Sequence, residues 1–297
     1  MFVGIDTEDD LKKAIKIYEN ALRINPSNLA THVNLGVAYL NTGDPEEAIK
    51  EFKIAIELDD LNTEPYYGLA KASLDLQKNG DSIRNFRKAL KINPRHVRSL
   101  NALAYPLIKT YKFAEGWKHY EYRWLNEPAK SVKKPIENRA MWNGELNKKV
   151  LLWREQGIGD DILFLSLVLE ASKITTSMTV YTQKRLLPLC RRGMPSITFK
   201  PYKTKIENAE FDYHLPMGSL PRLFRISEED FDNTVCGYLK ADETRVKILR
   251  EELGIEGKNV IGISWTSFKG SNMDNKNLNL NALSGAFEGL NIVLLNL

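Results

Sequence analysis

At 297 residues, with 43% hydrophobic and 27% charged side chains, the chain is long enough for two cored domains and too apolar to be disordered. Its net charge of +4 is spread through interleaved Lys, Arg, Glu and Asp, which excludes a basic nucleic-acid track. Cys190 and Cys236 lie far apart without a CxxC or Cys/His cluster, so a reducing compartment is expected rather than a disulfide framework, and no zinc ligand set is present.

The first elements repeat. Ala14, Ala48, Ser82 and Gly116 are spaced 34 residues apart, and each is followed four residues later by a ring: Tyr18, Phe52, Phe86 and Tyr120. A small residue where two helices cross, with a ring one turn later, lets a helix pair close and stack on the next pair. Ala21, Ala55 and Ala89 follow the rings, and Pro26 and Pro94 close the helices, with Asp60 where the middle proline would fall. Leu35, Gly36 and Tyr39 share one face of a first helix, as Leu69, Ala70 and Ser73 do one period later. In NTGDPEEA, Gly43 ends a helix, Asp44 is the N-cap and Pro45 opens the next. These positions resemble the tetratricopeptide repeat over residues 8 to 125, with a half unit at the start and a weaker unit at the end. There Gly116 and Arg123 replace two alanines, so a terminal cap is expected. Every repeat position named has a packing role; a binding role would lie on the concave face, where Tyr66, Tyr67 and Asn101 are candidates to meet a protein or peptide partner.

The period then changes. The stretch NEPAKSVKKPIENRAMWNGELNKK has no helical repeat and reads as a linker, 126–148. Val150 to Trp153 forms an apolar strand, EQGIGDD a glycine turn, and a helix follows from about Asp161. MTVYT (178–182), SITFKPY (196–202) and FDYHLP (211–216) read as further strands, with QKRLLPLCRRG a helix between the first two. Strands alternating with helices predict a parallel sheet. In the turn, Gly157 and Gly159 let the backbone approach a ligand, the helix N-terminus supplies amides, and Asp160 stands at the carboxyl end of the strand. The turn is neither a nucleotide P-loop nor GxGxxG, and Asp160 or Asp161 serving only as a helix cap is the alternative.

YEYRW, MWNGE, VLLWREQGIGDDILF, FDYHLPMGSLPRLF, GYLKAD and IGISWTS, in that order, resemble bacterial tetratricopeptide proteins with a heptosyltransferase-like (GT-B type) glycosyltransferase half. The resemblance implies two facing Rossmann-like domains and an inverting transfer from a nucleotide-sugar donor to a glycan or protein acceptor, with Asp160 as the base. It also implies that Lys269 and Lys276, in SFKGSNMDNKNL, face the donor phosphates; a solvated polar loop is the alternative there. Expected, then, is an α + α/β chain: a solenoid over 1–125, the linker, a Rossmann-like domain over 149–240, and an interdomain helix with the start of a second Rossmann-like domain over 241–297. The last strand, 290–297, closes the chain where the family continues, so impaired activity in a truncated relative is expected, and a non-catalytic interaction scaffold is the alternative function. No cofactor or metal is called for. MFVGIDTEDD turns acidic before a signal-peptide core develops, and no segment reaches about 18 uncharged apolar residues. A cytoplasmic protein without a transmembrane segment is therefore expected.

Overall fold

The computed structural model describes residues 8–125, 139–202, 204, 210–232, 237–255, 257, 259–263 and 292–296. It divides into two compact units, Met1–Tyr238 and Leu239–Leu297.

The first unit begins with eight helices: α1 (Glu8–Ile24), α2 (Leu29–Thr42), α3 (Pro45–Leu58), α4 (Thr63–Asp75), α5 (Asn79–Ile92), α6 (Val97–Ala102), α7 (Ala104–Lys109) and α8 (Phe113–Tyr120). The local signals act largely as their chemistry dictates. Asn28 and Asn62 accept the Thr31 and Glu64 amides, at 3.1 and 3.0 Å, and so start α2 and α4. Gly43, at φ +86°, ends α2, with its amide on Leu40 O and the next amide on Tyr39 O. Asp44 departs from expectation: it makes no side-chain capping bond to α3 and instead accepts from Thr42 Oγ1 at 2.9 Å. Pro106 explains the break between α6 and α7, because it has no N–H for the carbonyl of Ala102 four residues back.

The 34-residue period is a packing period. Ala48, Phe52 and Ala55 in α3, and Ser82, Phe86 and Ala89 in α5, are fully buried. The Phe52 ring fills the space between two glycines: a methyl group on Gly36 would lie 2.7 Å from it and one on Gly68 only 2.3 Å. Gly116 plays the same part in the last pair, where a methyl would meet Ile108 at 2.6 Å. Tyr66 serves this packing too, which corrects its candidacy for an open groove, whereas Tyr67 and Asn101 are half-buried. Tyr66 is buried under Lys88, while Tyr67 packs on Phe86 and on the edge of His96 with Arg98 over its ring.

After a 3-10 turn, Glu121–Leu125, and the segment that follows it, comes a four-stranded parallel sheet: β1 (Lys149–Trp153), β2 (Ser177–Thr182), β3 (Thr198–Pro201) and β4 (Tyr213–Pro216), in the order β3-β2-β1-β4. Helices α9 (Ile158–Leu165) and α10 (Val168–Ser172) join β1 to β2, α11 (Leu187–Gly193) joins β2 to β3, and α12 (Pro221–Phe224) follows β4. Alternation sends Val150, Leu152, Met178, Val180, Phe199 and Leu215 to the core shared with these helices. Leu151, Trp153, Tyr181 and Phe211 face the other way, where Trp124, from the end of the solenoid, packs on them. Both faces are therefore dry, which is why β1 reads as an unbroken apolar run. Residues 139–148, expected to be linker, contribute to the sheet domain: Met141 bridges to His214 beside β4, and Trp142 is fully buried.

The second unit contains α13 (Glu243–Glu252), started by Asp242 accepting the Arg245 amide at 3.1 Å, and the parallel pair β5 (Asn259–Ile263) and β6 (Ile292–Asn296).

Candidate functional site

The turn after β1 lies at the carboxyl end of a central strand, where open α/β sheets place their ligands. Asp160 is half-buried, and its carboxylate accepts the Gly157 amide at 3.0 Å, closing the first turn of α9. Its observed contact is thus the capping one. Gly157 and Gly159 are both exposed; a methyl group on Gly159 would meet open space, so room for a ligand exists there. Asp161 points the other way. It is buried, accepts from Arg154 Nε at 2.9 Å and from Thr182 Oγ1 at 3.2 Å, and ties α9 to the ends of β1 and β2. Burial pushes its carboxyl above the usual range, against the pull of Arg154. Lys269 and Lys276 lie outside the described residues.

The most heavily built polar cluster in this region is one the sequence reading missed. The strand order makes the gap between β1 and β4 the point where the chain direction reverses, and so the natural crevice. Arg123, from the end of the solenoid, enters it. Its guanidinium donates to both oxygens of Glu155 at 2.8 and 3.2 Å, to Ser219 Oγ at 2.9 Å, to Glu121 Oε1 at 2.8 Å and to the Tyr120 carbonyl at 3.1 Å. Glu155 follows β1 and Ser219 follows β4. Ser219 also donates to Glu121 at 2.7 Å, and Gln156 donates to the Tyr120 hydroxyl at 2.6 Å. The rings of Tyr120 and Trp124 lie against the guanidinium, 4.4 and 4.7 Å away. Gly218 has to be small, because a methyl there would come within 2.2 Å of Glu155 Oε1.

The Arg123 and Glu155 side chains are only 9% and 4% exposed. Burial alone would lower the Arg123 guanidinium, but Glu155 and Glu121 outweigh it and hold it above its ordinary value. For Glu155 burial wins and pushes the carboxyl up, although Arg123 pulls it down. This is a structural clamp, satisfied on every side, and it ties the end of the solenoid to the ends of β1 and β4. Arg123 thus joins the last repeat unit, expected as a terminal cap, to the sheet. The departure from alanine at that repeat position was the signal, and its meaning lay in Glu155, 32 residues on.

Two other groups are also structural. His214 accepts from Trp153 Nε1 at 3.1 Å through Nδ1, which leaves Nε2 to donate to the Arg139 carbonyl at 3.1 Å, so the ring is the neutral Nε2–H form. The buried Cys190 thiol is pushed up to about 11 by burial and by Asp161, which makes it a poor nucleophile. An open cleft of about 560 Å³ lies between α8, the 3-10 turn and α12, with Lys118, Glu121, Tyr122, Leu125 and Arg222 on its walls. No residue of the Gly157–Asp161 turn lines it. Among the described residues no group of three or more His, Cys, Asp or Glu side chains is arranged to hold a metal, and no helix is long and apolar enough to cross a membrane.

Two family models, each described as tetratricopeptide repeat, match residues 7–74 and 63–96. The N-terminal region carries tetratricopeptide repeats. Among solved structures, the chain is similar to a MamA protein, at 25% identity over 41% of this chain and 66% of that one, with a TM-score of 0.37. It is also similar to the first repeat domain of Spaghetti (RPAP3) bound to the HSP90 peptide SRMEEVD, at 20% identity, 35% and 82% coverage and a TM-score of 0.34. A third similarity is to the Arabidopsis OM64 repeat domain, at 22% identity, 33% and 81% coverage and a TM-score of 0.32. The chain thus spans just under two thirds of the length of that MamA chain. No curated protein matches the sequence.

Proposed function

We propose that this chain is an interaction scaffold whose repeats hold a protein or peptide segment, with the sheet half as a rigid base. The observation that carries this reading is a row repeated once per unit. Val37, Lys71 and Tyr105 occupy the same repeat position, 34 residues apart, on the first helices α2, α4 and α7. Neighbouring positions such as Gly36, Ala70 and Ala104 are buried, whereas Val37 is 44% and Tyr105 52% exposed, and Lys71 is half-buried between them in sequence order. The row suits an extended segment presenting a carboxylate between two apolar side chains, on the concave face of the solenoid. A random peptide library displayed on phage and panned on the full chain tests it. Enriched peptides should carry an acidic residue flanked by apolar ones, and Lys71→Glu with Tyr105→Asp should abolish their binding. Failure to enrich, or binding indifferent to both substitutions, refutes the reading.

A nucleotide-sugar transferase is the second reading, and one observation favours it: the Gly157–Asp161 turn stands at the carboxyl end of β1 with open space at Gly159. The Rossmann-like character of the sheet domain and of the second unit belongs to this reading, as do Asp160 as base, Gly157 and Gly159 beside the ligand, and Lys269 and Lys276 on the donor phosphates. One fact weighs against it: Asp160 is engaged as a cap. Calorimetric titration with nucleotide sugars decides. Binding to any donor, with transfer lost in Asp160→Asn, would restore the transferase; silence with every donor removes it.

A further inference from the structure

The sequence holds two Asn–Gly bonds, Asn79–Gly80 and Asn143–Gly144, and the fold treats them oppositely. Asparagine is a chemically labile side chain, and it is most open to attack from its own backbone when glycine follows, because glycine has no Cβ to shield the next amide nitrogen. Attack brings that nitrogen against the side-chain carbon. It therefore needs a backbone free to turn and an amide that is not already engaged.

Asn143–Gly144 meets both conditions. It lies in the turn that runs from fully buried Trp142 to Glu145, with Asn143 exposed and Gly144 at φ +94°. Among the described residues the Gly144 amide donates to none, and a methyl group on Gly144 would meet nothing nearer than Leu223 at 3.8 Å. Asn143 Oδ1 accepts the Glu145 amide at 3.1 Å, which draws electron density from the side-chain carbonyl carbon and makes it more electrophilic. Asn79–Gly80 is the reverse case. It opens α5, and helical backbone angles hold the Gly80 nitrogen away from the Asn79 side chain. Asn79 Oδ1 is buried and accepts no hydrogen bond among the described residues.

We propose that Asn143 is a site of spontaneous modification, where the chain converts its own asparagine to aspartate and isoaspartate and so loosens the Trp142 turn. The Gly144 nitrogen loses its proton and bonds to Asn143 Cγ; the side-chain nitrogen takes up a proton and leaves as ammonia, closing an imide ring. Water then opens the ring and returns a proton to the Gly144 nitrogen. Opening at Cγ gives aspartate, which keeps an acceptor for the Glu145 amide. Opening at the backbone carbonyl gives isoaspartate, whose main chain runs through the former side chain and is one methylene longer. That extra length falls inside the loop closed by Trp142 Nε1, which donates to the Glu145 carbonyl at 2.9 Å. The seat of Trp142 beside β4, where its amide donates to the His214 carbonyl at 2.8 Å, is loosened with it.

The test holds the full chain folded for several days in mildly alkaline buffer, beside a sample unfolded in urea, and follows both by tryptic mass spectrometry. Trypsin separates the two sites onto residues 140–148 and 79–84, and fragmentation distinguishes Asn143 from Asn147. In the folded chain Asn143 should convert about tenfold faster than Asn79, the factor that one backbone hydrogen bond given up at the start of α5 is worth. In urea the two rates should converge. An isoaspartyl methyltransferase should methylate the aged chain, and its melting temperature should fall below that of fresh chain. Asn143→Ser cannot form the imide and keeps a short acceptor, so its melting should not change with age. Equal rates at the two sites in the folded chain, conversion confined to the urea sample, or an equal melting loss in Asn143→Ser would each overturn the proposal.

Discussion

Replacing Arg123 by alanine should be among the most damaging single changes in the Met1–Tyr238 unit. The substitution removes the donors that satisfy Glu155, Glu121 and Ser219 at once, and it leaves Glu155, whose side chain is 4% exposed, as an uncompensated buried carboxylate. Removing one partner of a buried, hydrogen-bonded pair typically costs about 3–5 kcal/mol. The sign of the pH dependence follows from Glu155. Its folded-state carboxyl is already pushed up by burial and rises further without Arg123, so the stability it contributes is present below the unfolded carboxylate value and lost as pH rises through the folded one. The deficit of Arg123→Ala should therefore be larger at about pH 7.5 than at about pH 5. Urea unfolding followed by tryptophan fluorescence measures it, since Trp124 packs on Trp153 beside the clamp, with ring centroids 5.6 Å apart. Arg123→Met combined with Glu155→Met removes both charges and should recover most of the loss. A deficit below about 1 kcal/mol at the higher pH, the size of an exposed pair, or one that shrinks as pH rises, would refute the clamp.

Two further changes probe the repeats. Gly68→Ala places a methyl 2.3 Å from the Phe52 ring and should cost about 1–3 kcal/mol by overpacking, whereas alanine at exposed Gly80, with nothing within 4 Å, should cost no such penalty; equal effects in chemical denaturation would contradict the packing account. Glu64 is held below the usual carboxylate range by His96, 3.4 Å away, and by Arg98, 2.5 Å away in the next repeat. Its contribution is thus present above its ordinary value and lost as pH falls through the lowered one, so Glu64→Gln should flatten the decline in melting temperature between about pH 5 and pH 3. An unchanged acid limb would show the carboxylate to be idle.

Much of the solenoid was legible without coordinates, because its determinants are local and periodic. Gly36, Phe52, Ala70 and Phe86 recur at fixed spacing, and each does in the fold what its size implies. The strands of the sheet were legible for a related reason: burial on both faces makes Val150–Trp153 apolar throughout. Asp44 holds the N-cap position of α3 as its sequence suggests, but its carboxylate makes no capping bond because Thr42 takes it. Tyr66 was misread because a ring beside a groove and a ring inside a repeat look alike in one dimension.

The candidate site divides along the same line. The glycine turn and its two aspartates were visible in sequence, since glycine followed by a capping carboxylate is a local pattern; which carboxylate faces inward was not, because Asp161 is committed by Arg154 and Thr182 from two different strand ends. By itself the sequence determined the period, the small and aromatic packing residues and the strand–turn–helix order. Only the tertiary structure decided that Arg123 would join the ends of β1 and β4, by meeting Glu155 and Ser219, 32 and 96 residues away. The physical reason is that helix and strand patterns arise from neighbours a few residues apart, whereas burying a charge or exposing an apolar stripe depends on which distant segment arrives beside it.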